Sequence, residues 1–270
     1  MTVKEITSQI EAFAPLSLQA SYDNAGLIVG RDDQEVTSAL LAVDLTEEVV
    51  SEALELGAKM IITHHPIIFS PLKRFNSRSY VERCVEQAIK HDLVIYAAHT
   101  NLDSAEGGMS WRVGEMIGLE NIRVLEPTNA DLNGGFGVVG ELPKEVETLS
   151  YIDKVATTLN VEALRHSDID RDTIKRVAIC TGSGGSLIDL AADAGADLYV
   201  TSDLRYNDFF TAQNRVITLD IGHYESEYCA IEIIFDILSK KMINFALHKS
   251  LRGCNPVNYR NYSASRSTKL

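Results

Sequence analysis

The sequence predicts an α/β fold of two similar α/β domains arising from an internal duplication. Three observations support this. Short apolar runs alternate with helix-length amphipathic stretches along the 270 residues, the pattern of strand–helix units around parallel sheets. Gly57-Ala-Lys-Met-Ile-Ile-Thr63 is echoed by Gly195-Ala-Asp-Leu-Tyr-Val-Thr201. At the same offset, without a gap, the strand ending at Val43-Asp44 falls on the one ending at Thr181-Gly182, and the following helices superpose. After a shorter connection, Tyr96-Ala-Ala-His-Thr-Asn-Leu-Asp103 falls on Asp220-Ile-Gly-His-Tyr-Glu-Ser-Glu227.

Val3, Ile6, Ile10 and Phe13 recur at helical spacing, so residues 3–14 form a helix that Pro15 ends. Tyr22-Asp-Asn-Ala-Gly-Leu-Ile-Val-Gly30 is a turn into a short strand. Residues 38–44 are the continuous apolar run of a buried parallel strand. Thr46 caps a helix over 46–56, acids fill its first turn, and Gly57 ends it. A strand over 60–63 leads to His64-His65, and Pro66 stops it. Then come a loop at 70–78, a helix at 79–91, a strand at 93–98 and a helix at 109–117.

The polar, Gly-rich stretch 129–137 is the expected junction. The domains are expected at 1–128 and 129–250, with the C-terminal part of the second free to pack back on the first. In the second domain strands are expected at 136–142, 161–166, 174–180, 197–201 and 216–220. Helices are expected at 146–159, 187–194, 206–213 and from 221 to 241. Residues 251–270 hold four cations, no acids and no periodicity, and read as a mobile tail.

A hydrophobic share of 45% against 23% charged supports a sizeable core that needs no disulfide or metal staple. The formal charge of -13 argues against a general nucleic-acid binder, which needs a basic face. Cys84, Cys180, Cys229 and Cys254 are scattered, so no Cys-x-x-Cys zinc knuckle or dithiol is present. They read as reduced thiols, mostly buried, in a cytosolic protein. The first ten residues are polar and amphipathic, and no run approaches the ~20 apolar residues of a membrane span. The chain is therefore expected in the cytoplasm, with no membrane partner.

Two adjacent imidazoles at the end of a buried strand, His64-His65, are hard to explain as packing, and strand ends are where α/β sheets place active groups. Each half adds a His-x-x-x-acid unit after an equivalent strand, His99 with Asp103 and His223 with Glu227. Four-residue spacing at a helix start puts an imidazole and a carboxylate on one face. The counterparts of His64-His65 are Ser202-Asp203, so the ligands are uneven and point to one site between the halves, at the strand carboxyl ends. Neighbouring side chains diverge, so the pair suits two ions a few ångströms apart with a carboxylate between them. Imidazole and carboxylate donors fit zinc, manganese or iron better than calcium.

Other chemistry is weaker. Gly182-Ser-Gly-Gly-Ser186 either cradles an anion with backbone amides or makes a tight strand-to-helix turn. It lacks the Gly-Lys-Ser/Thr ending of a P-loop. Lys73, Arg74, Arg78 and Arg205 are candidate phosphate contacts. Asp44 either orients a histidine or caps a helix. Ser183 and Ser186 lack a His-Asp partner pattern and are set aside as nucleophiles.

Asp23-Asn24-x-Gly26-Leu27-x-Val29-Gly30, Ile62-Thr-His-His-Pro66, His99-Thr-Asn-Leu-Asp103, Gly182-Ser-Gly-Gly-Ser186, Gly195-Ala-Asp-Leu-Tyr-Val-Thr201 and the Gly222-His motif ending at Glu227 together resemble one family. It is the dinuclear-metal-centre family of GTP cyclohydrolase 1 type 2 homologs, and the resemblance runs through nearly the whole chain. It implies two similar α/β domains, a toroidal homohexamer and a paired site for two divalent ions facing an internal cavity. By position, His64, His65, Asp103, His223 and Glu227 resemble its ligands, with Glu227 bridging and His99 an additional ligand or a neighbouring group. Asn207 departs from the pattern, because a histidine is expected there. The implied activity is metal-dependent hydrolytic opening of the guanine ring of GTP, or of another nucleotide or heterocycle, by metal-bound water, with His99 moving protons. The alternative is a non-catalytic hexamer for metal handling or partner binding.

Overall fold

The computed structural model describes residues 1–129 and 131–260. The first half runs α1 (Val3–Phe13), β1 (Gly26–Val29), β2 (Ser38–Ala42), α2 (Glu47–Leu56), β3 (Met60–Thr63), α3 (Tyr80–Lys90), β4 (Val94–Ala97), α4 (Thr100–Ser104) and α5 (Met109–Ile117). The second runs β5 (Glu120–Asn129), β6 (Gly134–Glu147), α6 (Thr148–Thr158), β7 (Arg165–His166), β8 (Thr173–Ser183), α7 (Ile188–Asp193), β9 (Leu198–Ser202), α8 (Asp208–Thr211), β10 (Ile217–Asp220), α9 (His223–Glu227), α10 (Cys229–Lys241) and β11 (Ala246–Lys249).

Local chemistry sets these boundaries. In α1, the Thr2 hydroxyl accepts from the Glu5 amide and the Glu5 carboxylate accepts from the Thr2 amide, so two otherwise unpaired donors are satisfied. Its Val3, Ile6 and Ile10 face the core. Thr46 caps α2 through the Val49 amide, and Gly57 ends it in the left-handed region at φ 69°. Strands β2, β3 and β4 are buried along their full length, which their unbroken apolar runs require.

The strands form two sheets, ordered β1-β4-β3-β2-β11 and β5-β6-β8-β9-β10-β7. Each contains three parallel strands, β2-β3-β4 and β8-β9-β10, and each has an antiparallel strand, β1 or β7, on the outer side of the third. Ala39 pairs with Met60 and Val177 with Leu198, positions that the repeat alignment matches. The third strands differ. Thr63 pairs with Ala97 while Thr201 pairs with Asp220, so Ala97, not Tyr96, is the structural counterpart of Asp220. The gapless match of the two His-x-x-x-acid units is therefore one residue out of phase with the sheets.

Other differences from expectation are local. The Gly-rich stretch flanks a hairpin between two long strands. A Cβ at Gly135 would lie 2.1 Å from the Glu126 carbonyl oxygen, so glycine lets β5 and β6 approach. The strand expected at 161–166 is reduced to β7. The expected helix at 221–241 is split into α9 and α10, with Tyr228 between them keeping helical angles. Strand β11 pairs parallel to β2 and so returns the chain to the first sheet. Beyond it, the Glu52 carboxylate accepts from Ser250 Oγ at 2.5 Å and the Leu251 amide at 2.8 Å, and Arg252 pairs with Glu55. The part of the expected tail at 261–270 lies outside the described residues.

One apolar cluster runs through both halves. It joins Ile10, Leu41, Ile62 and Tyr96 of the first to Ile179, Val200, Leu219 and Ile234 of the second. Helix α10 packs on α1, β2 and β11, and α5 packs on β6 and β8. These helices bring the ends of the two parallel triplets to a common place.

Candidate metal centre

The side chains at those strand ends converge. His64 and His65 follow β3, and their ring centroids are 4.9 Å apart at an interplanar angle of 50°. They reach opposite oxygens of one carboxylate. His64 Nε2 is 3.6 Å from Glu227 Oε1, and His65 Nε2 is 3.0 Å from Glu227 Oε2. His223, one helical turn before Glu227, brings its Nε2 to 2.9 Å from the same Oε2. Asp103 Oδ1 lies 3.8 Å from His64 Nε2. Among the described residues, three groups have ligand atoms all within 4.8 Å of one another: His64, Asp103 and Glu227; His65, His223 and Glu227; and His64, His65 and His99. Glu227 belongs to the first two.

The far side of every ring is engaged. His64 Nδ1 meets the Ala98 carbonyl at 2.8 Å. A carbonyl only accepts, so Nδ1 carries the proton, and in the neutral ring the Nε2 lone pair points into the cluster. The Nδ1 atoms of His65, His99 and His223 meet Asp44 at 2.8 Å, Asp23 at 2.7 Å and Asp203 at 2.7 Å. This arrangement, in which a partner on one nitrogen aims the other, fixes metal-ligating histidines. His64 Nε2 and Asp103 Oδ1 are buried without a hydrogen-bond partner among the described residues, which costs free energy unless a further group satisfies them. His65 Nε2 and His223 Nε2 face each other at 3.3 Å, two lone pairs in opposition unless a proton or a cation lies between them. The donor set thus fits divalent ions of the imidazole-binding kind.

Without an ion, protons take that part. Burial opposes charge on His65, but its hydrogen bonds to Asp44 and Glu227 outweigh it and raise its pKa to about 10. Burial likewise opposes charge on His223, and Glu227 and Asp203 raise it to about 9. Burial also disfavours the Glu227 carboxylate, yet His64, His223 and His65 hold it well below the usual range. Asp103 is raised to about 7, chiefly by burial, with His64 opposing and Glu227 adding repulsion. Asp23 is lowered to about 2: burial works against this, and the His99 and Thr100 hydrogen bonds prevail.

The backbone makes room for the carboxylate. A Cβ on Gly182, where φ is +66°, would sit 2.3 Å from Glu227 Oε1. The Gly182 amide donates to Ser226 Oγ at 2.9 Å, and its carbonyl accepts from Ser202 Oγ at 2.5 Å. The glycine loop is thus a close-packed turn against α9 with these groups already committed. The turn into α4 is also fixed. The His99 amide donates to Asn101 Oδ1, and Asn101 Nδ2 donates to the Ala14 carbonyl.

A cleft of about 210 Å³ opens beside the cluster. Its lining includes Tyr22, His99, Asp103, Phe136, Cys180, Gly182, His223 and Glu227. Thr46, not Asp44, caps α2, so Asp44 has the histidine-orienting role. Lys73, Arg74, Arg78 and Arg205 are exposed and do not line the cleft. Asn207 is exposed before α8, while Asp203 of the same loop turns back to His223. Sequence reasoning missed the orienting roles of Asp23 and Asp203. The available signals were an Asp at a turn before β1 and an Asp matched by the repeat to His65.

Comparison with known proteins shows the family. The profile of the Duf34/NIF3 (NGG1p interacting factor 3) family matches residues 1–252. A Clostridium perfringens protein named GTP cyclohydrolase 1 type 2 homolog is 37% identical over 229 residues, covering 84% of this chain and 87% of its own. NIF3-like protein 1 of Drosophila melanogaster is 33% identical over 245 residues, covering 88% and 82% respectively. A Staphylococcus aureus hypothetical protein of solved structure has a TM-score of 0.88 at 28% identity, covering 96% of this chain and 99% of that one. The chain belongs to the Duf34/NIF3 family.

Proposed function

We propose that this member of the Duf34/NIF3 family binds two divalent ions and hydrolyses a nucleotide or another heterocycle. His64, Asp103 and Glu227 would hold one ion, and His65, His223 and Glu227 the other, with Glu227 shared. The observation that supports this best is the environment of Glu227. It is a buried carboxylate faced by three imidazoles whose other nitrogens are all engaged. A structural ion pair alone leaves His64 Nε2 and Asp103 Oδ1 unsatisfied, and one ion there leaves His65 Nε2 and His223 Nε2 opposed at 3.3 Å.

Bound ions of this kind polarise a substrate oxygen and acidify water. The protein residues do the rest. Asp23, held as a carboxylate, fixes the proton of His99 on Nδ1 and leaves Nε2 as the basic nitrogen. His99 lines the cleft and is placed to accept a proton there and return it to a leaving nitrogen. Asp44 and Asp203 keep His65 and His223 aimed.

The proposal extends to a cytoplasmic homohexamer of duplicated domains, 1–128 and 129–250. The paired parallel triplets support the duplication, and the name of the Clostridium perfringens relative supports a guanine nucleotide as the first substrate to try. Elemental analysis of purified protein, followed by a screen of metals against substrates, tests the reading. Two ions per chain and turnover lost in His65→Ala and Glu227→Ala are expected. Metal-loaded protein that leaves GTP, other nucleotides and cyclic amides unchanged refutes the hydrolase.

A further inference from the structure

The mouth of the cleft is aromatic. Tyr22 lines it and is 67% exposed, and Phe69, 50% exposed, sits 6.3 Å from the Tyr22 ring. The Phe69 ring meets His99 edge-on, at 6.1 Å and 84°. Phe136 lines the cleft from β6, in the other half of the chain. Exposed rings grouped at the entrance of a polar site are suited to covering a flat ligand.

Charge narrows what that ligand can be. The cleft lining contains Asp103 and Glu227 and no lysine or arginine. Asp23, Asp44 and Asp203 stand directly behind the imidazoles. These five carboxylates against the four positive charges of two divalent ions leave even the loaded site close to neutral, so it supplies little long-range attraction to a polyanion. Size agrees, since about 210 Å³ is less than the roughly 300 Å³ at which pockets for whole small-molecule ligands begin. The space takes a ring system and leaves sugar and phosphates outside.

We infer that the cleft recognises an uncharged planar heterocycle stacked on Tyr22, with Phe69 and Phe136 flanking it, and does not recognise phosphate. The inference rests on the metal-dependent hydrolase reading for the fate of that ring, and it narrows the substrate class to bases and nucleosides. Equilibrium dialysis of the metal-loaded full chain against guanosine, GTP and ribose 5-phosphate, with metal content measured on the same samples, provides the test. Guanosine is expected to bind about tenfold tighter than GTP, and ribose 5-phosphate not at all. Tyr22→Ala is expected to weaken guanosine about tenfold with metal content unchanged, and Tyr22→Phe to restore it. GTP or ribose 5-phosphate binding as tightly as guanosine, no guanosine binding, or an unaffected Tyr22→Ala overturns the inference. Failure to hold stoichiometric metal counts against the metal reading alone, because guanosine stacking is judged separately.

Discussion

The turns after β4 and β10 share a spacing and use it differently. In the second, His223 is the first helical residue and meets Glu227 one turn later at 2.9 Å. In the first, His99 precedes the helix, with φ −110° and ψ −116°, and turns back to Asp23. Each helix begins three residues after the aligned strand position, Thr100 after Ala97 and His223 after Asp220. Glu227 therefore matches Ser104 in the frame of the sheet, not Asp103. One residue on a helix is a rotation of about 100°, enough to aim the same motif elsewhere. The longer Glu227 reaches three imidazoles, and Asp103 reaches only His64. Phase relative to the sheet, more than spacing, decides what each acid does.

The largest test of this asymmetry compares the two acids. Glu227→Gln is expected to abolish binding of both ions, and Asp103→Asn to spare the one near His65, as read by elemental analysis. Equal losses would break the comparison. Next in size is pH. His65 and His223 keep their protons up to about 10 and 9 in the metal-free chain, so an ion must expel them. Affinity should rise with pH and level off near 10, and between about pH 7 and 9 it should fall by up to about a hundredfold per unit. Calorimetry in buffers of different ionisation enthalpy reads the released protons. The metal-free protein is expected to show the opposite trend in thermal unfolding: these protonated pairs stabilise it fully below the ordinary histidine pKa of 6.5, and that contribution is lost as pH rises through 9–10.

The orienting acids come third. Asp203→Asn should weaken metal binding about 10–100-fold, whereas Asp23→Asn should leave metal content alone and change the pH profile of turnover. Metal loss in Asp23→Asn would make His99 a ligand and bring the two turns closer in role. Smallest is Gly182→Ala, expected to cost about 1–3 kcal/mol in thermal unfolding through its positive φ and the approach to Glu227.

The parallel triplets were legible because a strand buried on both faces must be continuously apolar, and Thr46 and Gly57 punctuate α2 in the ordinary way. Strand β3 at Met60–Thr63 matches the sequence reading to the residue, and helix α5 at Met109–Ile117 lies where a helix near 109–117 is expected. Strand β5 was not legible, because it carries exposed Glu120, Asn121 and Pro127 and, among the described residues, pairs only with β6. Strand β11 is short, partly exposed and ends in His248-Lys249, so its pairing with β2 is decided by tertiary context. The residues His64, His65, His99, Asp103, His223 and Glu227 could be picked out because imidazoles and acids at strand ends are chemically conspicuous. Their orienting acids are tied to them only through space, and the one-residue phase difference emerges only from strand pairing.

The return of the chain through β11 also bears on biosynthesis. His65 and His223 are 158 residues apart, and β11 closes on β2 only after both are made. At roughly 5–20 residues per second, the histidine pair leaves the ribosome about 10–30 s before His223 and Glu227. The full set of groups around the Glu227 carboxylate therefore exists only in the finished chain.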